Sequence, residues 1–590
     1  MCGIYCYVGK KKAIPIILEG LKTLEYRGYD SAGIAYVYNN EINIKKKQGK
    51  LDNLKQTINN DIDTKLGIGH TRWATHGVPS ENNAHPFKQG KITLVHNGIV
   101  ENYLELKYQL KEYNLTSETD TEILACLIDK LYQEKNDMIK VLSKLKKLVK
   151  GSYALGIIND DDKNSLYAIR KDSPLILAKS DIGNFIASDI PAILKYTNKY
   201  ILLDNDEIAC LNKNDIIIYD TKLNIINKEI KTFEGNLEMA CKNGYDHFML
   251  KEIYEQPDII NNTFLPLFEF NKEELKEKYI DLKKYNKIQI IGCGSAYHVG
   301  LIGKNIIEKY CNIPVEVEIA SEYRYKKVFF DDKTLAIFIS QSGETADTLA
   351  CLRKVNENNI DSLSIINVIG SSIARESKKV IYTKAGCEIA VATTKAYSAQ
   401  LATLILITLI NMENEINLID VKDLPKLMTE ILNCNFKQIA EFLYKNKNIF
   451  FIGRGIDYSL CEEGALKLKE ISYIHCQAYA AGELKHGTIS LIEKDTPVIA
   501  ISTDKTLNEK TISNIKEIKA RGAKVIYIIT KELDMEGDFY NKKIVIPNTS
   551  ELLQPLLTIL PLQLIAYYVA KLNNCDIDKP RNLAKSVTVE

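Results

Sequence analysis

The chain reads as a multidomain protein of α+β and α/β class. A first block of antiparallel sheets with helices packed outside is followed by two doubly wound parallel-sheet units. Three observations predict this. Over residues 1–230, short β-like runs alternate with helical patterns, and the second half of that block is strand-dominated. Past a polar stretch the pattern becomes strand–loop–helix alternation, the signature of a parallel sheet covered on both faces. That alternation occurs twice, with corresponding strands beginning at Lys287 and Asn448. The length of 590 residues agrees, because about 150 residues per domain implies three or four domains.

In the first block, residues 34–38, 66–69, 92–96, 154–158 and 216–219 read as strands, and 13–25, 101–112 and 121–133 as helices. Residues 225–246, with Gly235, Asn236, Asn243 and Gly244, read as a connector. In the first repeat a strand at 287–291 leads through Gly292-Cys293-Gly294-Ser295 into a helix. In the second, a strand at 448–452 leads through Gly453-Arg454-Gly455 into another. The next units correspond too: 335–340 runs into a helix near 345, and 498–502 into one near 508. The expected boundaries are 1–230 for the first domain, 231–274 for a linker and junction, 275–420 and 440–575 for the repeats, and 576–590 for a tail. Duplication of this kind favours a site within or between the copies.

Lys plus Arg is 77 and Asp plus Glu is 76, which argues against nucleic-acid binding through a general basic field. The 13 cysteines form no Cys-x-x-Cys pair, so neither a zinc ribbon nor a disulfide framework is indicated. No signal peptide is evident, and a reducing cytoplasm is the expected compartment. Residues 552–570 carry no charge, but Gln554, Pro555, Pro561 and Gln563 interrupt them, and 398–412 is short for a bilayer. Both read as buried helices, with no membrane partner.

Cys2 is followed at once by Gly3 and Ile4. Removal of Met1 would make it the amino terminus. There the α-amino group, with a pKa of about 7.7–8.0, can take the proton of a thiol near 8.5. Alone, a Met-Cys start fits an inert thiol as well. His70 to Gly77 follows a strand, His96-Asn97-Gly98 follows another, and Ser117 to Asp120 precedes a helix. Arg72 suits an α-carboxylate, Asp120 an α-ammonium, and the Asn97 side chain with the Gly98 N–H an oxyanion. Asn97-Gly98 fits a type I′ hairpin turn equally, Asp120 an N-cap, and Trp73 a core position. His70, His76, His85 and His96 lack a ligand-like spacing, so no metal site is expected.

Cys2-Gly3-Ile4, the run Glu25 to Gly33, His70 to Gly77, Asn83-Ala84-His85-Pro86 and His96-Asn97-Gly98 together resemble the class II glutamine amidotransferases. The resemblance implies an N-terminal-nucleophile αββα sandwich with Cys2 as nucleophile. It also implies Arg72 and Asp120 on glutamine, Asn97 and Gly98 at the oxyanion hole, and Trp73, Thr75 and His76 beside the substrate. One position departs: that family's start usually reads Cys-Gly-Ile-x-Gly, and Cys6 stands at the last glycine.

In the second part, Ser340-Gln341-Ser342-Gly343-Glu344-Thr345 lies between a strand and a helix. Backbone N–H groups and three hydroxyls there make a phosphate site without metal; an ordinary N-capped turn is the plainer alternative. The equivalent Ser502-Thr503-Asp504 lacks the glycine and adds a carboxylate, so phosphate is expected in the first copy only. Lys467 and Glu470 share a helix face with Lys469 nearby, and Glu483, Lys485 and His486 follow. A carboxylate near histidine and lysine serves ring opening and proton shuttling, or such charges form a solvated face.

These loops, with Glu463 to Glu470, Ala478 to Gly487, Lys251 to Pro257 and the terminal Pro580 to Glu590, are similar to the isomerising glutamine–fructose-6-phosphate aminotransferase family over essentially the whole chain. The resemblance implies that L-glutamine and D-fructose 6-phosphate give L-glutamate and D-glucosamine 6-phosphate, with no cofactor because no redox step occurs. His486 would assist ring opening, and Lys585 would form a Schiff base with the ketone. Glu470 would move a proton between C1 and C2, supported by Lys467. Ser340, Gln341, Ser342 and Thr345 would hold the phosphate, with Cys293, Gly294, Ser295, Val391, Thr393 and Ala584 near the sugar. Ammonia would pass through a closed channel with Trp73 at its gate, and the tail bearing Lys585 would close the sugar site. A homodimer through the isomerase half is implied as well. Thr488 stands where the family has proline, and Ala390 where it has glycine. A non-catalytic sugar-phosphate sensor would not need Cys2, Glu470 and Lys585 together. An asparagine synthetase would need a Ser-Gly-Gly-x-Asp-Ser run that this sequence lacks.

Overall fold

The computed structural model describes residues 2–74, 76–233, 242–331, 333–413 and 417–588. Thr75, Gly235, Asn236, Val589 and Glu590 therefore lie outside the described residues. The chain divides into two units. The first holds Met1–Cys241 with Glu344–Ala346 and Ala584–Glu590; the second holds Lys242–Gly343 with Asp347–Leu583.

In the first unit the strand Gly3–Gly9 (β1) is buried throughout. Tyr5 and Tyr7 pack with Ile14, Ile17 and Leu21 of the helix Ala13–Leu24 (α1). Ile4, Cys6 and Val8 point the other way, into a core with Val95, Ala154 and Ala168. Alternation with both faces buried puts β1 between a helix layer and a second sheet. Ser31–Tyr38 (β2) pairs antiparallel with Leu66–Arg72 (β3), and β3 with β1, in a sheet of eight described strands. Ile92–Val100 (β4) belongs to a sheet of seven, pairs antiparallel with Gly151–Asn159 (β5), and packs on Asp120–Lys135 (α2). Helix, sheet, sheet, helix is the expected αββα sandwich.

Asn97 and Gly98 lie within β4, opposite Ala154 and Tyr153, so they are not a hairpin turn. Thr119 caps α2, its side chain accepting the Glu122 N–H, and Asp120 is the first helical residue rather than the cap. Cys6 is accommodated from the opposite sheet: a Cβ on Gly156 of β5 would sit 2.6 Å from Cys6 Sγ. The glycine missing at position 6 has a counterpart where the two sheets meet.

The second unit holds two five-stranded parallel sheets of the same order. In one, Lys287–Gly292 (β6) lies between Val315–Ile319 and Thr334–Ser340 (β7). In the other, Asn448–Gly453 (β8) lies between His475–Ala480 (β9) and Pro497–Ser502 (β10). The repeat reaches backbone detail. Gly294 leads into Ser295–Cys311 (α3) at φ 54°, ψ −127°, and Gly455 leads into a second long helix at φ 55°, ψ −129°. Only glycine adopts that region readily.

Lys395–Asn411 (α4), Ile456–Ser472 (α5) and Gln554–Leu572 (α6) pack in one core with residues of both parallel sheets. α6 is long and apolar enough to cross a membrane, but 83% of its apolar window is buried inside the protein. Its fully buried Gln563 accepts from Gln256 Nε2 at 2.7 Å and donates to Thr394 O at 3.4 Å. Amide bonds of this kind belong to a core helix, as expected from the sequence. The stretch expected as a junction contains Phe248–Tyr254 and Gln256–Phe264, whose Met249, Ile253, Ile260 and Phe264 join the same core.

Candidate active sites

In the first unit the register of β1 on β3 sets Gly3 opposite Thr71, which brings Cys2 beside Trp73, just past the end of β3. The Trp73 N–H donates to Cys2 Sγ at 3.4 Å, and the thiol donates to Trp73 O at 3.5 Å. Burial pushes the Cys2 thiol pKa up; neighbouring positive charge and the Trp73 N–H offset this only in part. Asn97 Nδ2 donates to Cys2 O and to Ser188 Oγ, each at 2.8 Å. Ser188 Oγ also accepts the Ile4 N–H at 2.8 Å, so one hydroxyl fixes both β1 and the Asn97 amide.

Arg72 is buried at the end of β3. One terminal nitrogen, Nη2, donates to His76 O and, at 3.1 Å, to Gly77 O. The other, Nη1, is buried with no hydrogen-bond partner among the described residues, as a guanidinium waiting for a carboxylate would be. Asp120 Oδ2 accepts the Val100 N–H at 2.9 Å. The His76 ring stands edge-on to Tyr103, with centroids 5.2 Å apart. His70, His85 and His96 are buried, and burial lowers the pKa of each, that of His70 to about 3. Among the described residues no cluster suits a metal ion.

In the second unit a fully buried carboxylate joins two helices. Glu463 on α5 accepts from Ser295 Oγ at 2.9 Å and from His298 Nδ1 at 2.8 Å, both on α3. Its Oε1 lies 3.5 Å from Lys467 Nζ, and Lys467 reaches Glu470 Oε2 at 2.5 Å. Burial alone would lower the Lys467 pKa, but Glu470 and Glu463 outweigh it and the net shift is upward, so Lys467 stays a cation. Thr393 Oγ1 donates to Glu388 at 2.8 Å, and the Val391 N–H to Asp578 O at 3.0 Å. Ser340, at the end of β7, is buried, and its Oγ accepts the Gly343 N–H at 3.0 Å. Gln341, Ser342 and Cys293 are half-buried.

In the second copy the equivalent loop is already occupied. Thr503 donates to the buried Asp457 carboxylate through its N–H at 2.7 Å and its hydroxyl at 2.5 Å. These donors of the second copy are engaged by the protein's own carboxylate.

Two family models match: a glutamine amidotransferase domain over residues 70–195, and a SIS domain over 281–410 and again over 442–572. A glutamine–fructose-6-phosphate aminotransferase [isomerizing] of Caldanaerobacter subterraneus subsp. tengcongensis is 48% identical over the full length of both chains. One from Aquifex aeolicus is 44% identical, again over the full length of both. The chain belongs to the glutamine–fructose-6-phosphate aminotransferase family. A solved C-terminal domain of glucosamine-fructose-6-phosphate aminotransferase from Francisella tularensis is 39% identical; it covers 58% of this chain and all of that one, with a TM-score of 0.54.

Of the positions that the family resemblance singled out, the structure brings together Cys2, Trp73 and Asn97 in the first unit. In the second it links Ser295 to Lys467 and Glu470 through Glu463. It does not bring His486 into that network: His486 is exposed at the end of the turn Glu483–Lys485. Ala584 and Lys585 are half-buried. Ser188, Glu463 and His298 were missed. Only Glu463 had a local signal, four residues before Lys467 on the same helix face. The family's glycine at position 390 is here a buried alanine whose N–H donates to Glu252 at 3.2 Å.

Proposed function

We propose that this chain converts D-fructose 6-phosphate and L-glutamine to D-glucosamine 6-phosphate and L-glutamate. The observation that carries the reading is the placement of the Cys2 thiol against the Trp73 backbone, with the Asn97 amide at the Cys2 carbonyl, in a chain that matches relatives of this family over their whole length.

With Met1 removed, the Cys2 amine takes the thiol proton and Sγ attacks the side-chain carbonyl of glutamine. Asn97 and the Gly98 N–H stabilise the oxyanion. Arg72 holds the α-carboxylate, Asp120 the α-ammonium, and Trp73, Thr75 and His76 line the substrate. Ammonia departs, and water hydrolyses the thioester to release glutamate.

At the sugar, Ser340, Gln341, Ser342 and Thr345 hold the phosphate, beside Cys293, Gly294, Ser295, Val391, Thr393 and Ala584. His486 assists ring opening. The Lys585 amine condenses with the C2 ketone, losing water, and ammonia displaces it from the resulting Schiff base. Glu470 takes a proton from C1 and returns one to C2, and the Lys467 cation pairs with that carboxylate. The protein is proposed to act as a cytoplasmic homodimer.

Product analysis of the purified chain tests this. Cys2→Ala should abolish glutamine-dependent synthesis while leaving fructose 6-phosphate isomerisation in place. Equal loss of both would overturn the assignment of separate sites.

A further inference from the structure

Asn97 can serve an oxyanion only if its amide nitrogen, not its oxygen, faces the nucleophile. An asparagine amide has two nearly isosteric orientations, so something must choose between them. The Cys2 carbonyl and Ser188 Oγ hold the nitrogen side of the amide, and the facing sheet holds its oxygen side. His70 on β3 places Nε2 3.1 Å from Asn97 Oδ1 and 3.0 Å from His96 O. The His96 oxygen is a backbone carbonyl and can only accept, so Nε2 must carry the proton. A flipped amide would then set its NH2 group against that N–H, two donors face to face.

The other ring nitrogen favours the same tautomer. His70 Nδ1 is buried with no hydrogen-bond partner among the described residues. In the neutral Nε2–H form it is a lone pair, while in the charged form it would be a buried N–H without an acceptor. The His70 ring also lies against the His85 ring, with centroids 4.0 Å apart at 30°, and the His96 N–H faces His85 Nδ1 at 3.5 Å. A positive ring there would be costly. Burial accordingly lowers the His70 pKa to about 3.

We infer that His70 is a positioning residue of the glutaminase site: it is held as the neutral Nε2–H tautomer and locks the Asn97 amide with its nitrogen toward Cys2. His70 lies in a buried group with His85 and His96, and its N–H crosses from one sheet to the other.

This rests on the proposed role of Asn97 at the oxyanion, and the test separates the two. In the full-length enzyme, glutamine hydrolysis is measured for His70→Leu, His70→Gln and His70→Asn, each with and without Asn97→Ala. Glutamine carries its amide nitrogen about as far out as Nε2, whereas asparagine stops short at the reach of Nδ1. Loss of one oxyanion donor costs about 10²–10³-fold in kcat. His70→Leu and His70→Asn should therefore lower kcat by about 10²-fold with KM changed less than about threefold. His70→Gln should stay within about tenfold of wild type. On the Asn97→Ala background, His70→Leu should add less than about threefold.

Equal rates for His70→Gln and His70→Asn, whether both active or both inactive, overturn the inference. So does full additivity with Asn97→Ala. An Asn97→Ala enzyme with unchanged kcat would instead overturn the underlying assignment of Asn97.

Discussion

Lys467 and Glu470 form an ion pair with Nζ 2.5 Å from Oε2, and the lysine side chain has no exposed surface. A second carboxylate, Glu463, lies 3.5 Å away on the other side and is also fully buried. The cation thus sits between two carboxylates of its own helix.

Breaking that arrangement from one side should be costly. Removing one partner of a buried pair leaves an uncompensated charge, at about 3–5 kcal/mol. Lys467→Met should therefore lower stability in urea by about that amount and lower sugar isomerisation as well. Adding Glu463→Gln should recover part of the stability without the activity. A Lys467→Met protein with unchanged urea midpoint would contradict this.

Asp457 should impose a pH dependence on stability. Burial raises its pKa to about 6, from about 3.9 in an unfolded chain. Between those values the folded protein holds the extra proton, so the contribution of this group falls as pH rises from about 4 to about 6. Two units correspond to about 3 kcal/mol. Asp457→Asn cannot titrate. The stability of wild type relative to the variant should therefore shrink by up to about 3 kcal/mol between pH 4 and pH 7. Urea midpoints at the two pH values measure it, and a constant difference would refute it.

Cys6 and Gly156 should be coupled. Gly156→Ala puts a methyl 2.6 Å from Cys6 Sγ, and overpacking of this kind costs about 1–3 kcal/mol. Cys6→Gly alone should also destabilise, by leaving a void. The double variant should be more stable than the sum of the single effects allows. Thermal unfolding of the four proteins settles it; simple additivity would show that the two sheets yield independently.

The duplicated α/β architecture was legible in the sequence because the repeat is strict: Gly294 and Gly455 share one backbone conformation that glycine alone adopts readily. The αββα sandwich was not read from periodicity, since β1 is buried on both faces and its alternation is invisible in hydropathy. It came from the motif resemblance. Asn97-Gly98 shows the limit of local rules. Its turn propensity is real, yet nine residues of β4 pair through it with β5. The partners that tune the sites were hidden for the same reason. Ser188 meets Asn97 from 91 positions away in sequence, and His298 meets Glu463 from 165, separations at which no spacing pattern survives. The junction helices at 248–264 were passed over because their apolar residues serve a core that exists only once both repeats are folded.

On the proposed function, glutamine nitrogen released at Cys2 ends on the sugar. The direct measurement supplies glutamine isotopically labelled in its side-chain amide, with fructose 6-phosphate and an excess of unlabelled ammonium, and weighs the hexosamine phosphate by mass spectrometry. Wild type should give a product carrying the amide label, and Cys2→Ala no labelled product. Hexosamine phosphate carrying only unlabelled nitrogen, or no hexosamine phosphate at all from protein with a free Cys2 terminus, would contradict it.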